Sequence, residues 1–133
     1  MLEVKYLKEL DNLLKKNNIL KSDICIVGSA VMAAYNLREN KDLDIIVLHE
    51  VREKIKNTNR GFSLSKNIEC VSKNWMLKFD KITTDKMIIT DPSLHFIDNQ
   101  GFKYCTLELL IKRKRFSMRK KDKKDLIIIN DRS

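Results

Sequence analysis

The chain has 133 residues, 43% of them hydrophobic, and its 27 Lys+Arg against 18 Asp+Glu leave a formal charge of +9. A chain this long hides roughly two-thirds of its unfolded surface, enough for a core without disulfides or a structural metal and too little for two ordinary domains, so residues 1–133 are read as a single domain. Apolar residues this frequent exclude disorder for most of the chain, and no apolar run approaches the roughly 18 residues of a membrane-spanning helix.

The opening Met1-Leu2-Glu3-Val4-Lys5 interleaves charge with apolar residues and lacks the apolar stretch of a secretory signal, which gives a cytoplasmic expectation. Leu7, Leu10 and Leu14 recur at helical spacing, so residues 3–17 are expected to form an amphipathic helix that ends at Asn17-Asn18. Asp23-Ile24-Cys25-Ile26-Val27 is a β-branched run closed by Gly28 and reads as a buried strand. Ser29 stands where an N-cap would start a helix with Val31, Ala34, Tyr35 and Leu37 as its apolar stripe, running to about Arg38. Residues 43–48, Leu-Asp-Ile-Ile-Val-Leu, form a second strand, and the helix between the two suggests a β-α-β unit.

A short helix or loop is expected over Glu50 to Asn59, then a third strand at Ile68-Glu69-Cys70-Val71. Lys86 to Thr90 is weakly strand-like, and Leu94 to Ile97 with Phe102 to Thr106 flank Asn99-Gln100-Gly101 as a hairpin. The region from about 107 to 133 reads as basic and helical, although Ile127-Ile128-Ile129 would suit a strand by propensity. Cys25, Cys70 and Cys105 are odd in number and scattered, and so read as reduced core residues rather than zinc ligands. His49 and His95 lack metal-ligand spacing, and Trp75, Met76, Leu77 and Phe79 read as core, with the lining of a base pocket as the alternative.

Chemistry concentrates in Val27-Gly28-Ser29, followed after twelve residues by Asp42-Leu43-Asp44. Two acids two apart on a strand share a face at about 6.6 Å between their backbones, near enough to share divalent ions and repulsive without a cation. Glu69 adds a third hard oxygen donor on another strand, with Asp80, Asp85, Asp91 and Asp98 as rivals for that place. Such a set suits Mg²⁺ or Mn²⁺ bound partly through substrate phosphates. Gly28 removes a Cβ that would block a phosphate, while Ser29 offers a hydroxyl and the helix start behind it offers backbone N–H groups.

These residues resemble the nucleotidyltransferases of the DNA polymerase β superfamily, whose signature is an apolar residue, Gly, Gly or Ser, a helix, Asp-x-Asp and a third acid on a neighbouring strand. The resemblance implies an α/β (α+β) fold with a mixed sheet flanked by helices. It also implies two metal ions held by Asp42, Asp44 and Glu69, with an NMP transferred from an NTP gripped by Gly28 and Ser29 as pyrophosphate leaves. The last third is similar, more loosely, to the small bacterial toxin and antitoxin nucleotidyltransferases, in which a Lys precedes a Lys-Asp-x-x-Asp helix. Lys112, ahead of Lys121-Asp122 and Asp125, would then touch the triphosphate.

Residues 112–124 hold nine Lys or Arg and one acid, a density that favours phosphate backbones through counterion release. The acceptor hydroxyl is therefore expected on RNA such as a tRNA end, on a protein or on a small molecule, with a modest tilt toward RNA or a toxin-antitoxin setting. The alternative is a non-catalytic nucleic-acid- or protein-binding module, antitoxin-like, that keeps the fold.

Overall fold

The computed structural model describes residues 2–132; Met1 and Ser133, the two ends of the proposed domain, lie outside the described residues. In chain order the elements are α1 (Leu7–Lys16), a 3₁₀ turn (Lys21–Asp23), β1 (Ile24–Val27), α2 (Ser29–Ala34), β2 (Leu43–Val47), α3 (His49–Ile55), β3 (Phe62–Ser63), β4 (Ile68–Cys70), α4 (Leu77–Asp80), α5 (Asp85–Thr90), β5 (His95–Ile97), β6 (Lys103–Cys105), α6 (Leu107–Ser117) and α7 (Lys120–Arg132). The strands form one mixed six-stranded sheet, ordered β3-β4-β2-β1-β6-β5 and flanked by helices, as the expected α/β class requires. All four residues of β1 are buried, and they anchor a contiguous cluster that takes in Leu10 and Leu14 of α1 and Ile88 and Ile89 of α5.

The expected β-α-β unit is not formed: β1 and β2 are antiparallel neighbours, with Val27 opposite Asp44 and Ile24 opposite Val47. A parallel crossover must carry the chain back across the sheet, and α2, only six residues long, rises about 9 Å and leaves the chain at the end where β1 finished. This topology builds the site, because a parallel return would have put Asp44 at the opposite end of the sheet from Gly28. Strand β2 then pairs in parallel with β4, which sets Asp44 directly beside Glu69.

Other expectations change locally. Ser29 does not cap α2: Gly28 occupies the cap position at φ 73°, and no side-chain cap bond forms. Lys86 to Thr90 belongs to helix α5, because Thr84 caps it and Asp85 accepts hydrogen bonds from the backbone N–H groups of Asn74 (2.8 Å) and Trp75 (3.0 Å). The triple isoleucine is helical in α7, since only helical spacing turns both Asp122 and Asp125 toward Lys114. The hairpin at Asn99-Gln100-Gly101 forms between β5 and β6, its turn held by the Asp98 carboxylate, which accepts from the N–H groups of Gln100 and Phe102. All three cysteines are free and buried.

Candidate active site

At the end of the sheet where β2 and β4 begin, a cleft of about 600 Å³ opens against α6 and α7. It is lined by Gly28, Ser29, Asp42, Asp44 and Glu69 together, so the topology gathers five of the six sequence-predicted site residues. Asp44 is half-buried at the second position of β2, between Val27 of β1 and Glu69 of β4 in the pairing register. Glu69 is exposed between buried Ile68 and Cys70, an alternation that aims its carboxylate off the sheet. Asp42 falls just before β2, in a loop fixed from beneath by fully buried Asn40. That amide donates to the Asp42 carbonyl (2.9 Å) and accepts from the Lys5 N–H (3.0 Å).

Two glycines make room for these acids. A Cβ on Gly28 would lie 3.0 Å from Oδ2 of Asp44, and its φ of 73° would strain any other residue. A Cβ on Gly61 would lie 3.1 Å from Oε1 of Glu69. The loop carrying Gly61 is held by buried Arg52, which donates to the carbonyls of Thr58 and Arg60 (3.1 Å each) and of Val71.

Among the described residues no hydrogen bond or ion pair reaches the carboxylates of Asp42, Asp44 or Glu69. Burial pushes the Asp44 carboxyl up to about 6, and the neighbouring charges of Asp42 and Glu69 push the same way against the weaker pull of Lys121 and Arg113. The rival acids are each committed elsewhere: Asp80 to Lys112 at 3.1 Å, Asp85 to Asn74 and Trp75, Asp91 to Ser93 and Asp98 to its hairpin turn. Among the described residues no three His, Cys, Asp or Glu side chains are gathered as a preformed metal-binding set. The three acids still fit Mg²⁺ or Mn²⁺ in donor chemistry: hard oxygens, unpartnered, with one of them destabilised by its like-charged neighbours.

The same cleft is also lined by cations. Lys73, Lys78, Arg113 and Lys121 line it and, among the described residues, form no ion pair. Arg113 lies over the rings of Trp75 (4.6 Å to the centroid) and Phe79 (4.4 Å) and donates to the Trp75 carbonyl at 2.8 Å, which holds its guanidinium in place at the cleft. Lys112, expected at the triphosphate, is not in the cleft; it is exposed and pairs with Asp80. Arg113, Gly61 and Asn40 had no assigned role in the sequence, and Trp75 and Phe79, read there as core, line the cleft. Spacing gave no signal for Arg113 over Lys112, because each lies three residues after a buried leucine, Leu110 and Leu109.

Buried Lys114 pairs with Asp122 (3.4 Å) and Asp125 (2.9 Å), Asp125 also accepts both ends of the Arg38 guanidinium (2.7 and 2.9 Å), and Arg119 and Ser117 close on Asp122. Burial alone would raise the Asp125 carboxyl; the hydrogen bonds from Arg38 and Lys114 outweigh it and hold the group below the usual range. No protein-family model, curated protein or solved structure matches the chain. Among the described residues no helix is long and apolar enough to cross a membrane.

Proposed function

We propose that the protein is a metal-dependent nucleotidyltransferase that transfers an NMP from an NTP to an acceptor hydroxyl and releases pyrophosphate. One observation carries this reading: Asp44 is flanked in register by Val27, just ahead of Gly28, on one side and by Glu69 on the other, and these acids, unpartnered among the described residues, share one cleft with unpaired cations. Acids alone would repel a triphosphate, and cations alone would need no acids. A cleft with both suits a polyanion that arrives with divalent metal.

Asp42, Asp44 and Glu69 would hold Mg²⁺, which when bound neutralises phosphate charge and acidifies a neighbouring hydroxyl. Gly28 leaves space for a phosphate beside Asp44, Ser29 offers a hydroxyl that has no partner among the described residues, and Arg113, Lys121 and Lys73 provide counter-charge. The acceptor oxygen attacks the α-phosphorus, the bond from that phosphorus to the bridging oxygen breaks, and pyrophosphate departs with the electron pair. Glu69, exposed on β4, orients the acceptor hydroxyl or takes its proton. The surplus of unpaired lysines at the cleft mouth favours an acceptor that is itself anionic, such as an RNA end.

The test is titration of the four NTPs into the purified chain with and without Mg²⁺, repeated on Asp42→Asn/Asp44→Asn. Metal-dependent binding lost in the double variant supports the reading. Metal-independent, salt-sensitive binding that survives the substitutions would replace it with a nucleic-acid-binding module.

A further inference from the structure

Away from the nucleotide cleft, an open groove of about 730 Å³ runs between α6, α7 and the segment following α2. The core accounts for only part of its apolar lining: Ile129 is buried in it and Leu37, Leu107 and Ile111 pack half-buried against it, but Ile127 does not. On α6 the core takes Leu109 and Leu110, while Leu107 and Ile111 form a second apolar face that continues at the same spacing to Arg115. On α7 only Ile129 of the apolar run is buried, and Ile127 is 62% exposed in the groove. Runs of β-branched residues are poor helix formers, and exposing one lowers solubility, so nothing in the folding of this chain accounts for Ile127.

The groove is also charged in one sense. Arg115 and Arg132 line it, both exposed, and among the described residues neither forms an ion pair. A second copy of the chain is a poor occupant, because each copy carries +9 and α7 itself bears Lys120, Lys121, Lys123 and Lys124. An open trough lined by apolar side chains between helices suits an amphipathic helix better than a small molecule, which needs enclosure. We infer that the groove between α6 and α7 docks an acidic amphipathic helix of a partner protein, its apolar face on Ile111 and Ile127 and its carboxylates on Arg115 and Arg132. The inference stands apart from the nucleotidyl-transfer reading.

The test is an NMR titration of the ¹⁵N-labelled full chain with a synthetic amphipathic helix of about 14 residues, leucines on one face and glutamates flanking them, beside a twin carrying lysines for the glutamates. The expected result is saturable binding of the acidic peptide with amide shifts at Tyr35, Ile111 and Ile127. Binding should weaken at least ~10-fold for the lysine twin and for Ile127→Glu, an exposed substitution whose fold circular dichroism verifies. Equal binding of the two peptides, shifts centred on the Asp44 cleft, or no binding at about 1 mM overturns the inference. Self-association of the chain alone, abolished by Ile127→Glu in sedimentation, also overturns it and makes the occupant a second copy.

Discussion

Two pairs of aspartates lie close together, Asp42, Asp44 and Asp122 lining the cleft and Asp125 one turn of helix beyond Asp122, and they differ in burial and in partners. Asp122 and Asp125, three apart on α7, are buried and saturated by Lys114, Arg38 and Arg119, and their carboxyls are held below the usual range. Asp42 and Asp44, two apart where β2 begins, have no such partner among the described residues, and the Asp44 carboxyl is raised to about 6. A carboxylate answered by the protein's own cations is finished structure and clamps α7 onto α6 and the loop after α2. A carboxylate left repelling its neighbours stores a preference for a cation from outside, and that preference is available to a substrate.

Breaking the second pair should have the largest effect. If the acids serve transfer, Asp42→Asn or Asp44→Asn lowers turnover by ~10³-fold or more in a labelled-NTP assay, about 4 kcal/mol of transition-state stabilisation, with the far-ultraviolet circular dichroism unchanged. Breaking the first pair should act on stability instead. Lys114→Met removes the cation that the two buried carboxylates share, leaving Arg38 on Asp125 and Arg119 on Asp122, and should lower unfolding free energy by about 2 kcal/mol in urea titration at pH 7. Because the native pKa of Asp125 is lowered, its contribution is fully present above the ordinary carboxylate range and is lost as pH falls through the lowered native value.

The sign reverses at Asp44. Its native pKa of about 6 exceeds the ordinary 3.8, so the ionised group opposes folding, not at all at low pH and fully above about 6. Asp44→Asn should therefore stabilise the chain by about 1 to 2 kcal/mol at pH 7.5, after allowance for solvent screening, with the gain vanishing below pH 4. Paired melts of wild type and variant across that range give the answer, and an Asp44→Asn chain no more stable than wild type at pH 7.5 would mean that the acid is already satisfied. The variant that kills activity is thus expected to be the more stable protein, a combination that a purely structural acid does not produce.

Much of this was readable in the sequence because it depends on neighbours along the chain. The strand at Ile24 to Val27, the turn at Gly28, the acids at Asp42 and Asp44 and the strand around Glu69 all follow from local pattern. The antiparallel sense of β1 and β2 did not follow, since it depends on how short α2 turns out to be and on where its return loop lands. Strand β3, two residues long, is too short to leave a periodic signal, and the buried Arg52 that holds the Gly61 loop looks in sequence like any surface arginine. The structure puts Arg113 rather than Lys112 in the cleft, a choice that the run Lys112 to Arg115 leaves open and that only the packing of α6 makes.

That one-residue difference makes the smallest and sharpest prediction. Successive residues on a helix point about 100° apart, so Lys112 and Arg113 cannot both address the cleft. Lys112→Ala removes an exposed pair with Asp80 and should change stability by no more than about 0.5 kcal/mol, with NTP affinity within about twofold of wild type. Arg113→Ala removes a guanidinium held over Trp75 and Phe79 and facing Asp44, and should weaken NTP binding by ~10-fold in calorimetry. Arg113→Lys should recover little of that loss, because a flexible ammonium neither stacks on both rings nor forks onto two phosphate oxygens. An effect of Lys112→Ala larger than that of Arg113→Ala would return the triphosphate to Lys112 and require α6 to rotate when nucleotide binds.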